Sequence, residues 1–188
     1  MSVIKAARRS AGVSQIELAI LAKTFQSHIS AVENGAVDPG LETADSILKK
    51  LGIKLIPVRT RYRSIAEDAL EFRDAFGKKD IEAAYIMFRQ LSDNLSRCTP
   101  SEAAALTNVK PSSVGDKRFD ALIAALVEHH LSILKVPSPE WINDPELKLE
   151  KTWAFNEYAK DLEREERLTP AAFRKRNILI AESELQSV

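Results

Sequence analysis

The chain has 188 residues, 45% of them hydrophobic and 29% charged, which is enough for one or two globular domains. Its single cysteine, Cys98, excludes an internal disulfide, and no apolar run approaches the roughly 18 residues that a membrane span needs. The net charge is zero, but residues 1–63 hold ten Lys/Arg and five Asp/Glu (+5), and the remainder holds seventeen and twenty-two (−5). These features predict a cytoplasmic protein with no membrane partner, whose N-terminal part binds nucleic acid.

Four helices are predicted before residue 53. The first covers residues 4–10 and turns Ile4, Ala7 and Ala11 inward. Ser14 and Glu17 have the spacing of a capping box, which starts a second helix near residue 15. A break in the apolar pattern at residues 22–25 precedes a third helix that ends near residue 32, and a fourth covers residues 41–51. The apolar residues assigned to the buried faces of the last three include Val13, Leu18, Leu21, Ile29, Val32, Leu41, Ala44, Ile47, Leu48 and Leu51.

The second and third helices, joined by a short turn, form a predicted helix-turn-helix. This stretch resembles the Xre/Cro-type repressors in their five-helix form, without a gap over residues 12–52. It departs from the family at Lys23, where glycine is common, and at Phe25, where a serine cap is usual, so Thr24 could cap instead. The resemblance rests on Gly12, Ser14, Gln15, Glu17, Leu18, Ala19, Ile29, Ser30, Glu33, Asn34, Gly35, Pro39, Leu41, Glu42, Thr43, Leu51 and Gly52.

The resemblance implies that the third helix enters the major groove of DNA. Ile29 and Val32 fit its buried side, and Phe25 either joins them or fills the turn. The other face is left for base contacts. Glutamine can pair with adenine, serine can donate or accept, and alanine can meet a thymine methyl. The predicted base contacts are Gln26, Ser27, Ser30 and Ala31. The predicted DNA-backbone contacts are Lys5, Arg8, Arg9, Gln15, His28 and Asn34, with a solvated side chain as the equal alternative for His28.

Residues 53–58 alternate loosely and are rich in β-branched side chains, which predicts a strand. A similar strand pairs across a two-fold axis in HipB-like antitoxins of this superfamily. The resemblance therefore implies a homodimer joined through Ile53, Leu55 and Val58, with a plain linker as the alternative. Such a dimer places two recognition helices about 34 Å apart on an inverted repeat. The arginines at 59, 61 and 63 are either a DNA-backbone patch or a solvated edge.

From residue 64 the sequence predicts an all-helical domain. Helices are expected over residues 65–77, 80–97, 100–106 and 116–134, and the last is the most apolar and therefore central. A polar helix is expected over residues 157–168, and Thr169 and Pro170 then predict the N-cap and first residue of another. Residues 177–180 form either a terminal strand or a core-packing segment.

Two pairs of side chains in this part invite a functional interpretation. Adjacent His129 and His130 point about 100° apart on a helix, so they are surface histidines, or one packs against the core, rather than metal ligands. Trp141 and Trp153 are candidate partner-binding residues, with the core as the more common place for tryptophan.

The sequence has no catalytic or cofactor motif, so neither enzyme activity nor a cofactor is predicted. The predicted divisions are a DNA-binding domain (1–52), a strand or linker (53–63) and a helical partner- or effector-binding domain (64–188). The first hypothesis is an antitoxin that represses its own operon and neutralises a toxin. Two short C-terminal patterns, around Trp141 and over residues 169–178, also resemble proteins encoded beside nucleotidyltransferase-type toxins. The alternatives are a ligand-responsive regulator with an apolar pocket and a scaffold that does not bind DNA.

Overall fold

The computed structural model of the protein describes residues 3–55, 57–156 and 162–185. The chain divides into two compact units, Met1–Pro57 and Val58–Val188. Both are built mainly from α-helices, which confirms the predicted fold class. None of the helices in the described ranges combines the length and apolar character that crossing a bilayer requires.

The first unit has four helices in its described residues, one fewer than the five-helix form that it resembles. They enclose a small core centred on Leu18, Ile29 and Leu48, all of which are buried. Ser14 caps the second helix as predicted, because its hydroxyl accepts from the Glu17 amide (3.2 Å) and the Glu17 carboxylate accepts from the Ser14 amide (2.7 Å). The helices are α1 (Val3–Ser10), α2 (Gln15–Leu21), α3 (Gln26–Glu33) and α4 (Gly40–Lys50).

Several apolar side chains predicted to be buried in this unit are exposed. Phe25 is 79% exposed and Leu41 77%. Phe25 occupies the N-cap of α3 in an extended conformation (φ −95°, ψ 147°), so its side chain does not share the buried face of the helix. Leu41 stands in the first turn of α4, whereas the buried residues of α4 lie two turns later at Ile47 and Leu48. The other incorrect assignments are Ala11 and Leu21.

The strand predicted over residues 53–58 is not formed. Residues 53–55, 57 and 58 have no regular secondary structure, and Ile56 lies outside the described residues. A strand satisfies its backbone groups only through a neighbouring strand, and the described part of one chain provides none here. The segment instead continues from the end of α4, where the Ile53 amide donates to the Leu48 carbonyl (3.0 Å).

The second unit is a helical assembly around one long helix. Serine and threonine caps open two of its helices as predicted: Ser64 forms a capping box with Glu67, and Thr99 forms one with Glu102. Short 3-10 turns cover Glu140–Asn143, Pro145–Leu147 and Glu182–Leu185. The α-helices are α5 (Ile65–Gly77), α6 (Ile81–Ser96), α7 (Pro100–Thr107), α8 (Lys117–Ile133), α9 (Leu162–Leu168) and α10 (Ala171–Arg174).

Helix α8 is the centre of this unit, as its wide apolar arc predicted. Seven consecutive residues, 121–127, are buried, so the helix is covered on all sides over two turns. Near its start, the Phe119 ring contacts those of Phe76 (centroids 4.9 Å apart) and Tyr85 (5.4 Å) edge-on. Aromatic packing therefore joins α5 and α6 to the first turn of α8.

The C-terminal segment adds a short strand pair to the helical unit. Strand β1 (Trp153–Ala154) lies parallel to β2 (Ile178–Leu179), with Trp153 opposite Ile178. The Phe155 amide donates to the Leu179 carbonyl at 2.8 Å. Residues 178–180 are buried, so this segment is both a strand and a core-packing element. The sequence analysis offered these two roles as alternatives, and the segment has both.

The start of α10 differs by one residue from the prediction. Pro170 is the N-cap and Ala171 the first helical residue, whereas the sequence placed the cap at Thr169. The Thr169 hydroxyl is engaged elsewhere, because it donates to the Glu165 carbonyl (2.7 Å) and accepts from the Ile180 amide (3.0 Å). Of the polar helix predicted before it, residues 162–168 are helical and residues 157–161 lie outside the described residues.

The adjacent histidines of α8 differ in their surroundings. His130 is buried, and its Nε2 lies 3.1 Å from the Ser92 hydroxyl of α6. His129 is half-buried, with its ring centroid 5.9 Å from that of Phe173. One histidine therefore packs against the core, and no group of side chains in the described ranges is arranged to hold a metal ion.

Candidate nucleic-acid interface

The turn between α2 and α3 covers residues 22–25. The Ala22 backbone amide donates to the Leu18 carbonyl (2.8 Å), and the Thr24 backbone amide donates to the Ala19 carbonyl (2.9 Å). These two hydrogen bonds close the end of α2. Lys23 adopts a left-handed conformation with φ 54°, which explains why glycine is common at this position in the family that the stretch resembles. The N-cap of α3 is Phe25, which makes no side-chain capping hydrogen bond, so the alternative in which Thr24 caps the helix is not adopted.

Replacing Lys23 with glycine is expected to stabilise the protein. Glycine enters the left-handed region without the steric cost of a Cβ atom, so we expect a gain of roughly 0.5–1 kcal/mol. The matched control is Lys23→Ala, which removes the same charge and keeps the Cβ. Thermal unfolding of the full chain measures both, and an equal effect of the two variants would contradict the backbone explanation.

The exposed face of α3 carries the predicted base-contacting side chains. Gln26 and Ser27 are exposed in its first turn, and Ser30 and Ala31 are half-exposed in its second. Ile29 and Val32 are buried on the opposite side. The four predicted base contacts therefore lie on the side of the helix away from the core, with Gln26 and Ser27 the most accessible.

A continuous set of hydrogen bonds connects α1 to the first turn of α3. Arg8 binds the Glu33 carboxylate through two nitrogens, Nε to Oε1 (2.6 Å) and Nη2 to Oε2 (2.9 Å). The Gln15 amide donates to the same Glu33 oxygen Oε2 at 2.9 Å. Gln15 Oε1 in turn accepts from Gln26 Nε2 at 2.8 Å. We call these four side chains the Arg8–Gln26 network.

Glu33 is the residue of this network that the sequence analysis missed. The sequence pattern places it only at the end of α3, yet its residue is 4% exposed. The hydrogen bonds from Arg8 lower the pKa of its carboxyl group against the opposing effect of burial, and they raise the pKa of Arg8. A carboxylate in the last turn of a helix faces the negative end of the helix dipole, and this mismatch was a signal that Glu33 has a cationic partner.

The predicted DNA-backbone contacts occupy different environments. The Arg8 guanidinium is engaged by Glu33 and, through Nη1, by the Val13 carbonyl (2.8 Å), so its role within the unit is structural. Arg9 is exposed on the same helix, and Lys5 is half-exposed. The remaining predicted contacts are half-exposed Gln15 and His28 and exposed Asn34.

The residues predicted for dimer formation and partner binding are also located. Ile53, Leu55 and Val58 are exposed apolar side chains. Trp141 and Trp153 are half-buried and pack against the core of the second unit. The Trp141 indole donates to the Thr107 carbonyl at 2.9 Å, whereas the buried indole nitrogen of Trp153 has no acceptor among the described residues.

Comparison with known protein families matches residues 4–57 to a helix-turn-helix family. The match covers less than a third of the chain, and this part is similar to the Xre-like helix-turn-helix domains of DNA-binding transcription regulators. No curated protein and no solved structure matches the chain. The comparisons thus support neither a specific kinship with HipB-like antitoxins nor a family for the second unit.

Proposed function

We propose that this protein is a transcription repressor that reads its operator with the first turn of α3. The observation that carries the proposal is the orientation of Gln26 by Gln15 at an exposed helix start. One amide hydrogen of Gln26 is used in this bond. Its Oε1 and second amide hydrogen make no hydrogen bond within the described residues, and these are the two groups that pair with adenine N6 and N7.

The DNA backbone is contacted, in this proposal, by side chains around the reading helix. Arg9 and Lys5 of α1 supply positive charge, and Gln15 lies in the first turn of α2, where backbone amides favour a phosphate. Asn34 and His28 contact the flanking phosphates. Ser27, Ser30 and Ala31 complete the base contacts beside Gln26.

We also propose that the repressor acts as a homodimer on an inverted repeat. The exposed apolar side chains of Ile53, Leu55 and Val58 support this, because pairing of this segment with a second copy covers them and satisfies its backbone groups. A strand there then forms only on association. Measuring the molecular mass of the Leu55→Asp variant in solution tests this step. A variant that still forms the dimer would exclude this segment as the dimer interface.

The finer part of the proposal is that the protein is an antitoxin whose second unit neutralises a toxin. Its support is the combination of an Xre-like domain with a separate compact unit of 22 acidic and 20 basic residues over positions 58–188. Co-expression with the product of the adjacent gene tests this part. Lack of rescue and of co-purification would overturn the antitoxin role and leave the repressor role intact.

DNA recognition is tested by mobility shift of the full chain on its own upstream region. We expect Gln26→Ala to lose discrimination between the operator and unrelated DNA by roughly 1–3 kcal/mol, because the adenine contact is removed. Arg9→Ala should weaken both DNAs alike and flatten the salt dependence, because it removes a phosphate contact. Gln90→Ala, an exposed glutamine of α6, is the control. Unchanged operator preference in Gln26→Ala would overturn the proposed reading.

A further inference from the structure

A cleft of about 990 Å³ opens within the second unit. Its walls come from the loop before α8, the first turn of α8 and the segment from Trp141 to Trp153. This volume lies at the upper end of the range for small-molecule sites. Every residue that lines the cleft lies within the described ranges.

Basic residues outnumber acidic residues on the walls of the cleft. The walls contain five Lys/Arg and three Asp/Glu, whereas residues 58–188 as a whole contain 20 Lys/Arg and 22 Asp/Glu. Two of the five cations are paired with carboxylates beside the walls, so the cations available to a ligand are the other three. A concave surface with apolar walls concentrates the field of its charges, so these three cations can attract an anionic ligand.

Three of the five cations form no ion pair with the described part of the chain. Lys110 is paired with Asp144 and Arg118 with Asp116. The others, Lys117, Lys148 and Lys151, are exposed and have no ion pair among the residues that the structure describes. A phosphorylated ligand would supply charged acceptor oxygens to these three ammonium groups.

The cleft also has flat apolar walls that are held in place. Trp141 is fixed by its hydrogen bond to the Thr107 carbonyl. Trp153 packs against Phe155 and Phe119 (centroids 6.1 Å apart in each pair), and the Arg118 guanidinium lies 5.4 Å from its ring centroid. Both indoles line the cleft and are half-buried, so each combines a fixed position with surface that a flat ligand can contact.

We propose that this cleft binds a nucleoside phosphate, with the base packed on a tryptophan wall and the phosphates bound by Lys117, Lys148 and Lys151. The combination of stacking walls and unpaired lysines in one cleft of this volume carries the assignment. All the residues that line the site belong to the second unit, so the site can be tested in the absence of DNA.

Tryptophan fluorescence tests the proposal directly, because the chain has two tryptophans and both line the cleft. The full-length protein, without DNA, is titrated with ADP, pyrophosphate and adenosine. We expect a saturable emission change with ADP and weaker binding of both fragments, since each retains half of the contacts. No saturable change with ADP would overturn the site, and equal affinity for ADP and pyrophosphate would overturn the nucleoside class.

A charge-matched pair of variants separates this site from general attraction. Lys117→Glu with Lys148→Glu reverses two charges in the cleft, and Arg73→Glu with Lys135→Glu reverses two exposed charges that do not line it. We expect the first pair to weaken ADP binding by about tenfold or more, and the second to have little effect. Equal losses in the two pairs would show non-specific binding and overturn the proposal. Circular dichroism confirms that both variants are folded.

Discussion

Replacing Glu33 with alanine is expected to cost the first unit roughly 1–3 kcal/mol, because the partly buried Arg8 guanidinium then loses its counterion. The Glu33 side chain is fully buried and that of Arg8 is 11% exposed, so water can replace little of the lost contact. The substitution also removes the acceptor for the Gln15 side-chain amide. Gln15, which orients Gln26 by a hydrogen bond, then loses its own fixed position. Loss of stability should therefore be accompanied by loss of operator discrimination.

Hydrogen exchange of the α1 and α3 amides in the full chain measures this effect within the first unit. Glu42→Ala, an exposed carboxylate in the first turn of α4, is the matched control and should change little. Arg8→Ala and the double variant complete a mutant cycle, in which the double variant should cost less than the sum of the single ones. A cost below about 1 kcal/mol for Glu33→Ala would show that the pair is effectively solvated.

Acidification is expected to destabilise the second unit through His130. Burial, with a smaller effect from neighbouring His129, lowers the pKa of His130 to about 4, against the ordinary 6.5. Between these values the unfolded chain binds more protons than the folded one, so stability is full above pH 6.5 and falls as the pH decreases toward 4. The His130 contribution lost on moving from neutral pH to pH 5 is about 2 kcal/mol.

Urea unfolding followed by tryptophan fluorescence measures this change, since both tryptophans belong to the second unit.

Asp68 acts in the opposite direction. Burial raises its pKa to about 6, so its contribution to stability decreases as the pH rises from 3.8. The difference between wild type and His130→Gln therefore isolates the histidine. Ser92→Ala removes the hydrogen-bond partner of His130 but keeps the imidazole, so its pH dependence should persist. If the stability of His130→Gln depends on pH in the same way as that of the wild type, His130 is not the origin of the pH dependence.

Features that depend on neighbouring positions were predictable from the sequence. The capping boxes at Ser14, Ser64 and Thr99 join residues three positions apart, so the sequence contains both partners within one turn. The central place of α8 follows from its apolar arc in the same way. Gly35 also has the left-handed conformation (φ 75°) expected just after the end of α3.

Features that join distant positions were not predictable from these patterns. Arg8 and Glu33 are 25 residues apart, and the partners Trp153 and Ile178 in the strand pair are also 25 apart. A single sequence records no such pairing, because periodicity identifies a face but not what covers it. Phe25 shows the same limit, since its apolar character predicted burial and its N-cap position exposes it. The cleft, assembled from three separate segments, had no signal beyond its two tryptophans.

The Arg8–Gln26 network has a consequence for how the proposed operator preference can change. Arg8 and Glu33 do not need to touch a base to affect recognition, because Gln15 connects them to Gln26, the side chain proposed to contact a base. A selection for altered operators should therefore recover substitutions within α1 as well as within α3. Since an apolar pair can replace a buried ion pair at little cost, positions 8 and 33 are expected to change together during divergence, and seldom one at a time.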